Sequence, residues 1–412
     1  MFDVIVVGAR CAGAPTGMLL ARRGYRVLIV DKSTFPSDQV LSTHLVWPHG
    51  IACLDRWGLL PKVAASDCPP LSKVRFDVGP VVLSGGFPPA DGEMSDAYAP
   101  RRTVLDQILV QGAVAAGAEL REACTMTGLL TDEYGTVCGV TLRSRNGTRK
   151  ERASIVIGAD GLYSSVARAV EAGSYETHPA LQGTYFTYWD RVALDRIELY
   201  VRPHRAVYGW PTNDGLALVG VNWPASEYAA VRADVERSYH TALEDVAPGL
   251  GERVRSGRRT ARWIGGSVPN YFRRPFGDGW ALVGDAGYHK DPITAQGISD
   301  AFRDAELLVD AIDTGLSGRR PLDEALAAYE HRRNELSMQM YEFTCQLARL
   351  DPPTPDMEHL FGSLADNHEQ TRRFFGVIAG TVPVEQFFAP ENLENIAAGA
   401  RAETNQPART TQ

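Results

Sequence analysis

Lysine is scarce in this chain, since only five of its 42 basic residues are lysine and the rest are arginine. These basic residues are scattered, and no block of them forms a stripe that could follow a phosphate backbone. Acidic residues are more numerous, and the formal net charge is -8. Such a charge gives no general attraction to nucleic acid or to anionic lipid. We therefore expect no nucleic-acid partner.

The chain also lacks paired-cysteine motifs and long apolar runs. Its six cysteines show no CxxC spacing and no cysteine–histidine cluster, which predicts free thiols, a reducing compartment and no bound metal. No segment approaches the roughly 20 apolar residues of a membrane-spanning helix. The first strand-like run, Phe2–Val7, has no basic leader before it. These absences predict a soluble, cytoplasmic protein without a membrane span.

What is present is an ordinary globular composition, long enough for two or three cores. Hydrophobic residues make up 44% of the 412 positions and charged residues 22%. The first 31 residues combine a short β-branched run, a Gly-containing turn, a segment with helical apolar spacing and a second apolar run. This order predicts a β-α-β unit, whose parallel strands are typical of a doubly wound, Rossmann-like sheet.

A second, aromatic-rich region predicts a different kind of sheet. Residues 183–223 contain four strand-like runs separated by polar turns, and residues 73–88 resemble a hairpin. Five of the seven tryptophans lie between Trp189 and Trp280. One interpretation places them on a single sheet face that packs on its own core, and another makes them the wall of a site for a large, flat, apolar ligand.

The predicted fold class is α/β, or α+β overall: a Rossmann-like domain, a largely antiparallel β-sheet domain and C-terminal helices. The first domain is expected to be discontinuous and to comprise residues 1–72, 98–175 and 276–345. The second comprises residues 73–97 and 176–275, and a C-terminal helical segment with a frayed tail occupies 346–412. An active site is expected at the interface between the first two domains.

The turn after the first predicted strand, Gly8-Ala9-Arg10-Cys11-Ala12-Gly13, is a candidate phosphate-binding site. Backbone N–H groups and the dipole of the following helix converge there on a pyrophosphate. Asp31 ends the second predicted strand, where a carboxylate can accept both ribose hydroxyls of an adenosine. The usual middle glycine is Arg10, whose side chain crowds the phosphate but whose guanidinium can bind it directly.

Two later segments resemble signatures of the group A flavoprotein monooxygenases. Residues 156–168 resemble their Asp-Gly signature, with matches at Asp160, Gly161, Ser164 and Arg168. Residues 280–304 resemble their Gly-Asp signature, with matches at Gly284, Asp285, Pro292, Gly297 and Asp304. A fourth element, Arg102-Thr103-Val104-Leu105, resembles the family's Arg-x-x-Leu, although the adjacent Arg101 leaves the register uncertain by one.

The resemblance implies one noncovalent FAD and a fold like that of p-hydroxybenzoate hydroxylase. In that family the Gly-Asp aspartate binds the ribityl chain of FAD, and the loop after the proline delivers a helix N-terminus to the isoalloxazine. Free N–H groups at such a helix start stabilise the anion formed when flavin is reduced. The residues that we expect to bind FAD are Gly8, Arg10, Ala12, Gly13, Asp31, Lys32, Arg102, Asp160, Gly284, Asp285, Gly297 and Ile298.

The chain contains one dinucleotide fingerprint. The resemblance therefore implies that NADPH or NADH, as the reductant, docks only transiently in a groove without its own Rossmann unit.

Two activities fit this resemblance. The predicted one is an NAD(P)H-driven monooxygenase that uses dioxygen to oxygenate a bulky aromatic or polycyclic small molecule of secondary metabolism, in a site kept dry. The alternative is an FAD-dependent reductase of isoprenoid-type double bonds, similar to the geranylgeranyl reductases. The segment from Ala206 to Pro211 loosely resembles their Tyr-x-Trp-x-Phe-Pro motif in shortened form. The Trp-x-Trp-x-Ile-Pro motif of the related halogenases is not present, which disfavours halogenation.

No catalytic acid or base is fixed by the sequence. His44 is a candidate because its segment lines the flavin by resemblance, the alternative being a structural, hydrogen-bonded histidine. His289, in the Gly-Asp loop, is expected to order that loop. Tyr208 and Trp210 are expected to border the substrate cavity, the alternative being plain core packing. A flavin-binding protein without turnover is the remaining hypothesis, and such a protein would oxidise no NAD(P)H.

Overall fold

The computed structural model describes residues 1–38, 41–90 and 94–404. In chain order, the strands of these residues are β1 (Phe2–Val7), β2 (Val27–Val30), β3 (Pro70–Leu71), β4 (Val74–Asp77), β5 (Val82–Gly85), β6 (Ala97–Tyr98), β7 (Glu119–Arg121), β8 (Thr125–Thr131), β9 (Val137–Ser144), β10 (Gly147–Gly158), β11 (Ser174–His178), β12 (Gln182–Asp190), β13 (Ile197–Arg202), β14 (Arg205–Pro211), β15 (Ala217–Pro224), β16 (Arg258–Arg259), β17 (Ile264–Gly266), β18 (Asn270–Arg273), β19 (Phe276–Gly277), β20 (Trp280–Leu282) and β21 (Tyr288–His289). The helices are α1 (Gly13–Arg22), α2 (Pro48–Arg56), α3 (Leu60–Ala64), α4 (Arg102–Ala115), α5 (Ser165–Ala169), α6 (Tyr228–Ala233), α7 (Val235–Val246), α8 (Pro248–Ser256), α9 (Gly297–Leu316), α10 (Leu322–Ala348), α11 (Pro355–Ala365), α12 (His368–Ala379), α13 (Val384–Phe387) and α14 (Pro390–Thr404).

The first sheet has the parallel core that the β-α-β pattern predicts. Its strand order is β19-β20-β10-β1-β2-β7, and every pair except β19–β20 is parallel. Strand β2 is buried at every position, because helices α1, α4 and α9 cover one face of the sheet and strands β8 and β9 pack on the other. The N-terminal half of β10 leaves this core and forms an antiparallel extension with β9 and β8. The Rossmann-like part of the predicted fold class is confirmed.

The second sheet is largely antiparallel, also as predicted. Its order is β16-β12-β15-β14-β13-β4-β5, with β17 paired to β12, and only the β13–β4 pair in it is parallel. The predicted hairpin within residues 73–88 is the antiparallel pair β4–β5. The two sheets thus draw on alternating stretches of the chain, although the expected domain boundaries themselves stay a prediction.

The tryptophans of the second region do not share one face, so the single-face interpretation is wrong. Trp189 and Trp223 pack in a cluster with helices α7 and α8, whereas Trp210 lies in the cluster that includes residues of α11 and α12. Trp280 belongs to the core of the first sheet. Side chains alternate between the two faces along a strand. Tryptophans on different strands and registers are therefore separated even though they are close in sequence.

The C-terminal helices cover the second sheet. The Phe76 ring of β4 lies 5.7 Å from the Phe361 ring of α11 and 5.5 Å from the Phe374 ring of α12. The expected frayed tail falls mostly on residues 405–412, which lie outside the described residues. Within the described ranges, no helix combines the length and apolar character needed to cross a bilayer. All six cysteines are free and five of them are buried, which confirms the predicted packed thiols.

Candidate functional site

The glycine-rich turn lies between β1 and α1, where the sequence places it. Gly8 has a φ of 103°, and a Cβ atom there would come within 2.3 Å of the Ala159 carbonyl oxygen. A Cβ atom on Gly13, the first residue of α1, would lie 1.8 Å from the Gly8 carbonyl oxygen. Only glycine fits these two positions, because the backbone itself occupies the space of a side chain. The turn therefore presents the N-terminus of α1 at the carboxyl end of the parallel strands.

The Asp31 carboxylate, which is buried, fastens this turn. Its Oδ2 accepts the Ala9 N–H at 2.8 Å, and its Oδ1 accepts the Ser33 N–H at 2.8 Å. Each carboxylate oxygen has a further lone pair, so Asp31 can also accept hydrogen bonds from ribose hydroxyls. Lys32, the next residue, is exposed.

Arg10 and Arg102 share one carboxylate that the sequence analysis did not identify. Asp106 Oδ2 accepts from Arg10 Nη1 at 2.6 Å, and Asp106 Oδ1 accepts from Arg102 Nε at 3.0 Å. Asp106 is fully buried, and Oδ1 also accepts the Cys11 thiol at 3.3 Å. Arg10 donates in addition to Ser37 Oγ at 2.8 Å. Two guanidinium groups and one carboxylate leave one net positive charge beside the turn, which favours a phosphate.

Helix α4 separates the two candidate arginines of the Arg-x-x-Leu element. This helix begins at Arg102, whose side chain is buried, and Leu105 is fully buried. Arg101 lies just before the helix, and its guanidinium carbon is 4.9 Å from the centre of the Tyr188 ring in the second sheet. Arg102 therefore faces the glycine-rich turn, and Arg101 faces the other sheet.

Asp160 binds the start of helix α5, whose N-cap residue is Ser164. Asp160 Oδ1 accepts the Ser164 hydroxyl at 2.5 Å, and its Oδ2 accepts both the N–H and the hydroxyl of Ser165 at 2.6 Å. These bonds order the loop between β10 and α5. The loop packs against Gly8, where an added Cβ atom would lie 3.0 Å from the Asp160 nitrogen. Both oxygens of Asp160 are thus engaged within the chain, and its expected contact with FAD stays a prediction.

The Gly-Asp loop meets the glycine-rich turn. A Cβ atom on Gly284 would come within 2.7 Å of the Ala12 Cβ. The Asp285 side chain is exposed and accepts no hydrogen bond within the described part of the chain. The Tyr271 hydroxyl lies 2.7 Å from the Asp285 carbonyl oxygen and 3.1 Å from the Leu162 carbonyl oxygen. Tyr271 therefore holds the Asp285 loop and the Asp160 loop together.

Helix α9 begins at Gly297, which confirms the helix start expected after Pro292. A Cβ atom on Gly297 would meet nothing within 4 Å, and Ile298 is 9% exposed. Ser299 Oγ accepts the Trp47 N–H at 3.1 Å, and Trp47 Nε1 donates to the Thr294 carbonyl oxygen at 2.9 Å. Trp47 thus fixes both the loop and the first turn of α9. The first N–H groups of a helix have no partner within the helix, and the space beside Gly297 is open.

These residues fit FAD. A guanidinium pair with net positive charge lies beside the turn and suits a pyrophosphate. The Asp285 carboxylate is free to accept hydroxyl groups, and the helix start at Gly297 leaves room for a flat ring system next to a positive dipole. Arg10, Arg102 and Asp31 would hold the dinucleotide part, Asp285 the ribityl chain, and the start of α9 the isoalloxazine.

His44 lies beside Tyr188 of β12, which the sequence analysis did not single out. His44 Nδ1 is 2.9 Å from the Ala99 carbonyl oxygen, and its Nε2 is 2.9 Å from the Tyr188 hydroxyl. A carbonyl oxygen only accepts, so Nδ1 carries the proton and the neutral ring accepts the Tyr188 O–H at Nε2. The two rings are nearly parallel, at 5°. His44 also has a φ of 48°, a strained value for a residue with a side chain.

Both members of this pair are neutral at ordinary pH. Burial lowers the pKa of His44 to about 3, and the charges of Arg102 and Arg101 lower it as well. Burial raises the pKa of the Tyr188 hydroxyl well above its usual range. The polar atoms that join the two side chains are therefore bonded within the protein, and neither side chain carries a charge.

Tyr208 and Trp210 lie together on the same face of the second sheet. Their rings are stacked with centres 5.3 Å apart, and they are 8% and 3% exposed. The Tyr208 hydroxyl is 2.8 Å from Thr184 Oγ1, and Trp210 Nε1 donates to the Thr43 carbonyl oxygen at 3.3 Å. The Trp210 contact supports the loop that carries His44, whereas the Tyr208 contact lies within the second sheet. Direct contact of either ring with substrate stays a prediction.

The loop before α9 is anchored by buried charge. Lys290 Nζ pairs with the Asp300 carboxylate and donates to the Tyr288 hydroxyl. Asp291 Oδ1 accepts from Gln182 Nε2 at 2.6 Å, and Asp291 Oδ2 is buried without a hydrogen-bond partner among the described residues. Burial raises the pKa of Asp291 to about 7. His289 Nδ1 lies 2.7 Å from the Pro269 carbonyl oxygen, as expected of a residue that orders this loop.

Sequence signals for two of the missed residues existed. Asp106 is four residues after Arg102 in a predicted helix, the spacing at which opposite charges meet. Tyr188 follows Phe186 by two residues and Thr184 by four in a predicted strand, so the three side chains point to the same face. No sequence signal connected Trp47 or Tyr271 to the cofactor loops.

Known proteins resemble this chain over most of its length. Residues 1–344 match the FAD binding domain family. Digeranylgeranylglycerophospholipid reductase 2 of Methanopyrus kandleri is 30% identical over 311 residues, which are 72% of this chain and 73% of that protein. Rifampicin monooxygenase of Streptomyces venezuelae is 27% identical over 391 residues, 89% of this chain and 76% of that protein. The solved structure of the flavin-dependent brominase Bmp2 has a TM-score of 0.79 at 19% identity and covers 98% of this chain and 100% of its own, which concerns the fold alone.

The matched region contains the glycine-rich turn, the Asp160 and Asp285 loops and the start of α9. These segments are far apart in sequence, and the fold brings them to one edge of the parallel sheet. The resemblance to FAD-dependent monooxygenases and their relatives is thereby confirmed. The chain belongs to the FAD binding domain family and is an FAD-dependent oxidoreductase.

Proposed function

We propose that this protein is a monooxygenase that takes electrons from NADPH or NADH and transfers one oxygen atom of dioxygen to a bulky aromatic or polycyclic small molecule. The observation that carries the proposal is the buried, neutral pair of Tyr188 and His44. FAD, when bound, supplies the electron transfer and the activation of dioxygen. The protein's own contribution is to exclude water, to orient the substrate and to place dipoles.

Exclusion of water follows from the way the second sheet closes on residues 41–47. Tyr188 donates to His44, and Trp210 donates to the carbonyl oxygen of Thr43. Two aromatic side chains of the second sheet therefore pack against this loop and keep water from that side. Neither contact leaves a polar group that would attract water into the site. A dry site of this kind suits oxygenation, because water and protons divert the oxidant to hydrogen peroxide.

Placement of dipoles follows from helix α9. The space beside Gly297 at its start is open, and the contact from Trp47 to Ser299 keeps that helix end in position. Negative charge that develops next to the first N–H groups of the helix is stabilised without rearrangement of the protein.

A reductase of isoprenoid-type double bonds is the second candidate. It is supported by the name of the Methanopyrus kandleri relative and by the shortened motif at Tyr208 and Trp210. Saturation of a double bond adds a hydride and a proton, so a reductase also needs a source of that proton. Burial moves the pKa values of His44 and Tyr188 away from neutrality, so neither side chain suits that role. The likeness to rifampicin monooxygenase supports oxygenation.

The test compares the two activities with one preparation. The FAD-loaded protein is mixed with NADPH or NADH and with flat aromatic compounds or geranylgeranyl compounds, under air and under argon. A monooxygenase oxidises the nicotinamide faster when an aromatic ligand is present, and its product gains one oxygen atom only under air. A product that gains two hydrogen atoms under argon would assign the reductase activity instead.

A variant pair tests the role of the Tyr188–His44 contact. Y188F removes the hydroxyl that satisfies His44 Nε2, so we expect more of the consumed nicotinamide to end as hydrogen peroxide. The control is Y134F, because Tyr134 is 85% exposed in a distant turn. Equal peroxide yields in the two variants would contradict the proposed sealing role. Secondary metabolism as the source of the substrate, and a cytoplasmic location, stay predictions from the sequence.

A further inference from the structure

Arg101 is a cation at the boundary between the two sheets that has only a weak partner among the described residues. Its Nε atom is buried and makes no hydrogen bond within the described ranges. Asp214 Oδ2 lies 4.0 Å from its Nη1, and that carboxylate side chain is 71% exposed. Such an ion pair is screened by water and neutralises little of the charge. The positive charge of Arg101 therefore remains available.

The position of Arg101 is fixed by its surroundings. Its backbone N–H donates to Asn213 Oδ1 at 2.8 Å, and the Asn213 amide donates in turn to Ser66. Its guanidinium lies over the Tyr188 ring at 4.9 Å. A guanidinium held over an aromatic ring makes no hydrogen bond to that ring, so its N–H groups can still bind a carboxylate or a phosphate.

The neighbouring Arg102, unlike Arg101, has a close carboxylate partner. Arg102 is buried, and its Nε and Nη2 lie 3.0 and 2.9 Å from Asp106 Oδ1. Arg102 thus has a close carboxylate partner, shared with Arg10, on the side of the glycine-rich turn. Arg101 instead lies over the Tyr188 ring of the second sheet.

The aromatic side chains of the second sheet beside Arg101 are uncharged. Tyr188 donates its proton to His44, which is itself uncharged, and Trp210 packs on the same sheet face. We propose that Arg101 binds an anionic group of the substrate, a carboxylate or a phosphate, so that the substrate is an amphipathic acid. This inference rests on the proposed function only in placing the substrate at the boundary of the two sheets.

The test measures binding without turnover. Calorimetric titration of the oxidised, FAD-loaded protein uses 1-naphthoate, 1-naphthyl phosphate and the neutral 1-naphthamide. We expect at least one of the two anions to bind about tenfold more tightly than the amide, and the preferred anion identifies the acid class. Added salt is expected to weaken binding of the preferred anion and to leave the amide unchanged, because salt screens charge.

Two variants assign the effect to the residue. R101Q is expected to lose the preference for the anion over the amide. The matched control is R75Q, because Arg75 also lies over a tyrosine of the same sheet, 5.9 Å from the Tyr200 ring, but is paired with Asp77 at 3.0 Å. R75Q is expected to keep the preference. FAD content and thermal unfolding of both variants establish that they are folded.

An R101Q protein that keeps the wild-type preference would overturn the proposal, and so would a wild-type protein that prefers neither anion to the amide. Both results leave the monooxygenase proposal intact, because they involve neither dioxygen nor nicotinamide. Conversely, an Arg101-dependent preference in a protein that never incorporates oxygen would retain this inference and remove the proposed reaction.

Discussion

Gly284 and Ala12 are in contact: a methyl group added at Gly284 would come within 2.7 Å of the Ala12 Cβ. Ala12 belongs to the turn that leads into α1, and Gly284 begins the loop that carries Asp285. The contact holds the two loops at one edge of the parallel sheet, where the cofactor residues must converge. It also explains why a glycine is needed at 284 for packing as well as for its φ of 62°.

We expect G284A to destabilise the protein through both effects. The left-handed backbone costs about 1–2 kcal/mol for a residue with a Cβ, and the clash with Ala12 adds about 1–3 kcal/mol. The control is G135A, because Gly135 has a φ of 86° but no atom within 4 Å of an added Cβ. The free energy of unfolding by denaturant measures both variants. Equal losses in the two would show that the Gly284–Ala12 contact contributes nothing.

We expect D106N to destabilise the FAD-free protein by about 3–5 kcal/mol, because it leaves the buried guanidinium of Arg102 without its carboxylate. The loss should be smaller with FAD present, since a bound pyrophosphate would compensate part of the charge. The control is D310N, which removes the carboxylate that pairs with Arg23 at an exposed position. Denaturant unfolding with and without added FAD provides the measurement. A loss that FAD does not reduce would place the arginine pair away from the cofactor.

We expect D285A to lose FAD without losing stability. The Asp285 side chain is exposed and unbonded within the described chain, so its removal leaves the folded FAD-free protein unaffected. Loss of hydrogen bonds to ribityl hydroxyls should weaken FAD binding by about 1–3 kcal/mol, or roughly 5- to 150-fold. Equilibrium dialysis against FAD measures this change, with the exposed D278A as control. Unchanged affinity in D285A would refute the ribityl assignment.

We expect Asp291 to make stability depend on pH. Burial raises its pKa to about 7, so between about pH 4 and 7 the folded protein binds a proton that the unfolded chain has released. Stability therefore falls as the pH rises through this window, by up to about 1.4 kcal/mol per pH unit. In D291N this contribution is absent, so the difference between wild type and variant should shrink or reverse toward pH 7. A constant difference from pH 4 to 7 would contradict the raised pKa.

Much of the cofactor region could be predicted from the sequence because its requirements are local. A strand, a turn that tolerates only glycine at Gly8 and Gly13, and a helix follow one another within a few residues. Asp31 at the end of the next strand completes a pattern that needs no knowledge of distant contacts. The sequence alone did not distinguish Arg101 from Arg102 in the Arg-x-x-Leu element, because the two differ only in their position relative to the start of helix α4.

The opposite side of the site could not be predicted in the same way. The contact between His44 and Tyr188 joins residues 144 positions apart, and it depends on how the second sheet packs against residues 41–47. The error over the tryptophans has a related cause. Alternation along each strand is visible in the sequence, but the relative register of separate strands is not.

The central claim is that the reduced cofactor activates dioxygen for transfer to an amphipathic aromatic acid. The most direct measurement is a turnover of the FAD-loaded protein under ¹⁸O-labelled dioxygen in unlabelled water, followed by mass spectrometry of the product. The account predicts one labelled oxygen atom per product molecule, with less product and more hydrogen peroxide in Y188F. A product that carries oxygen from water, or one that forms equally well under argon with a saturated double bond, would contradict it.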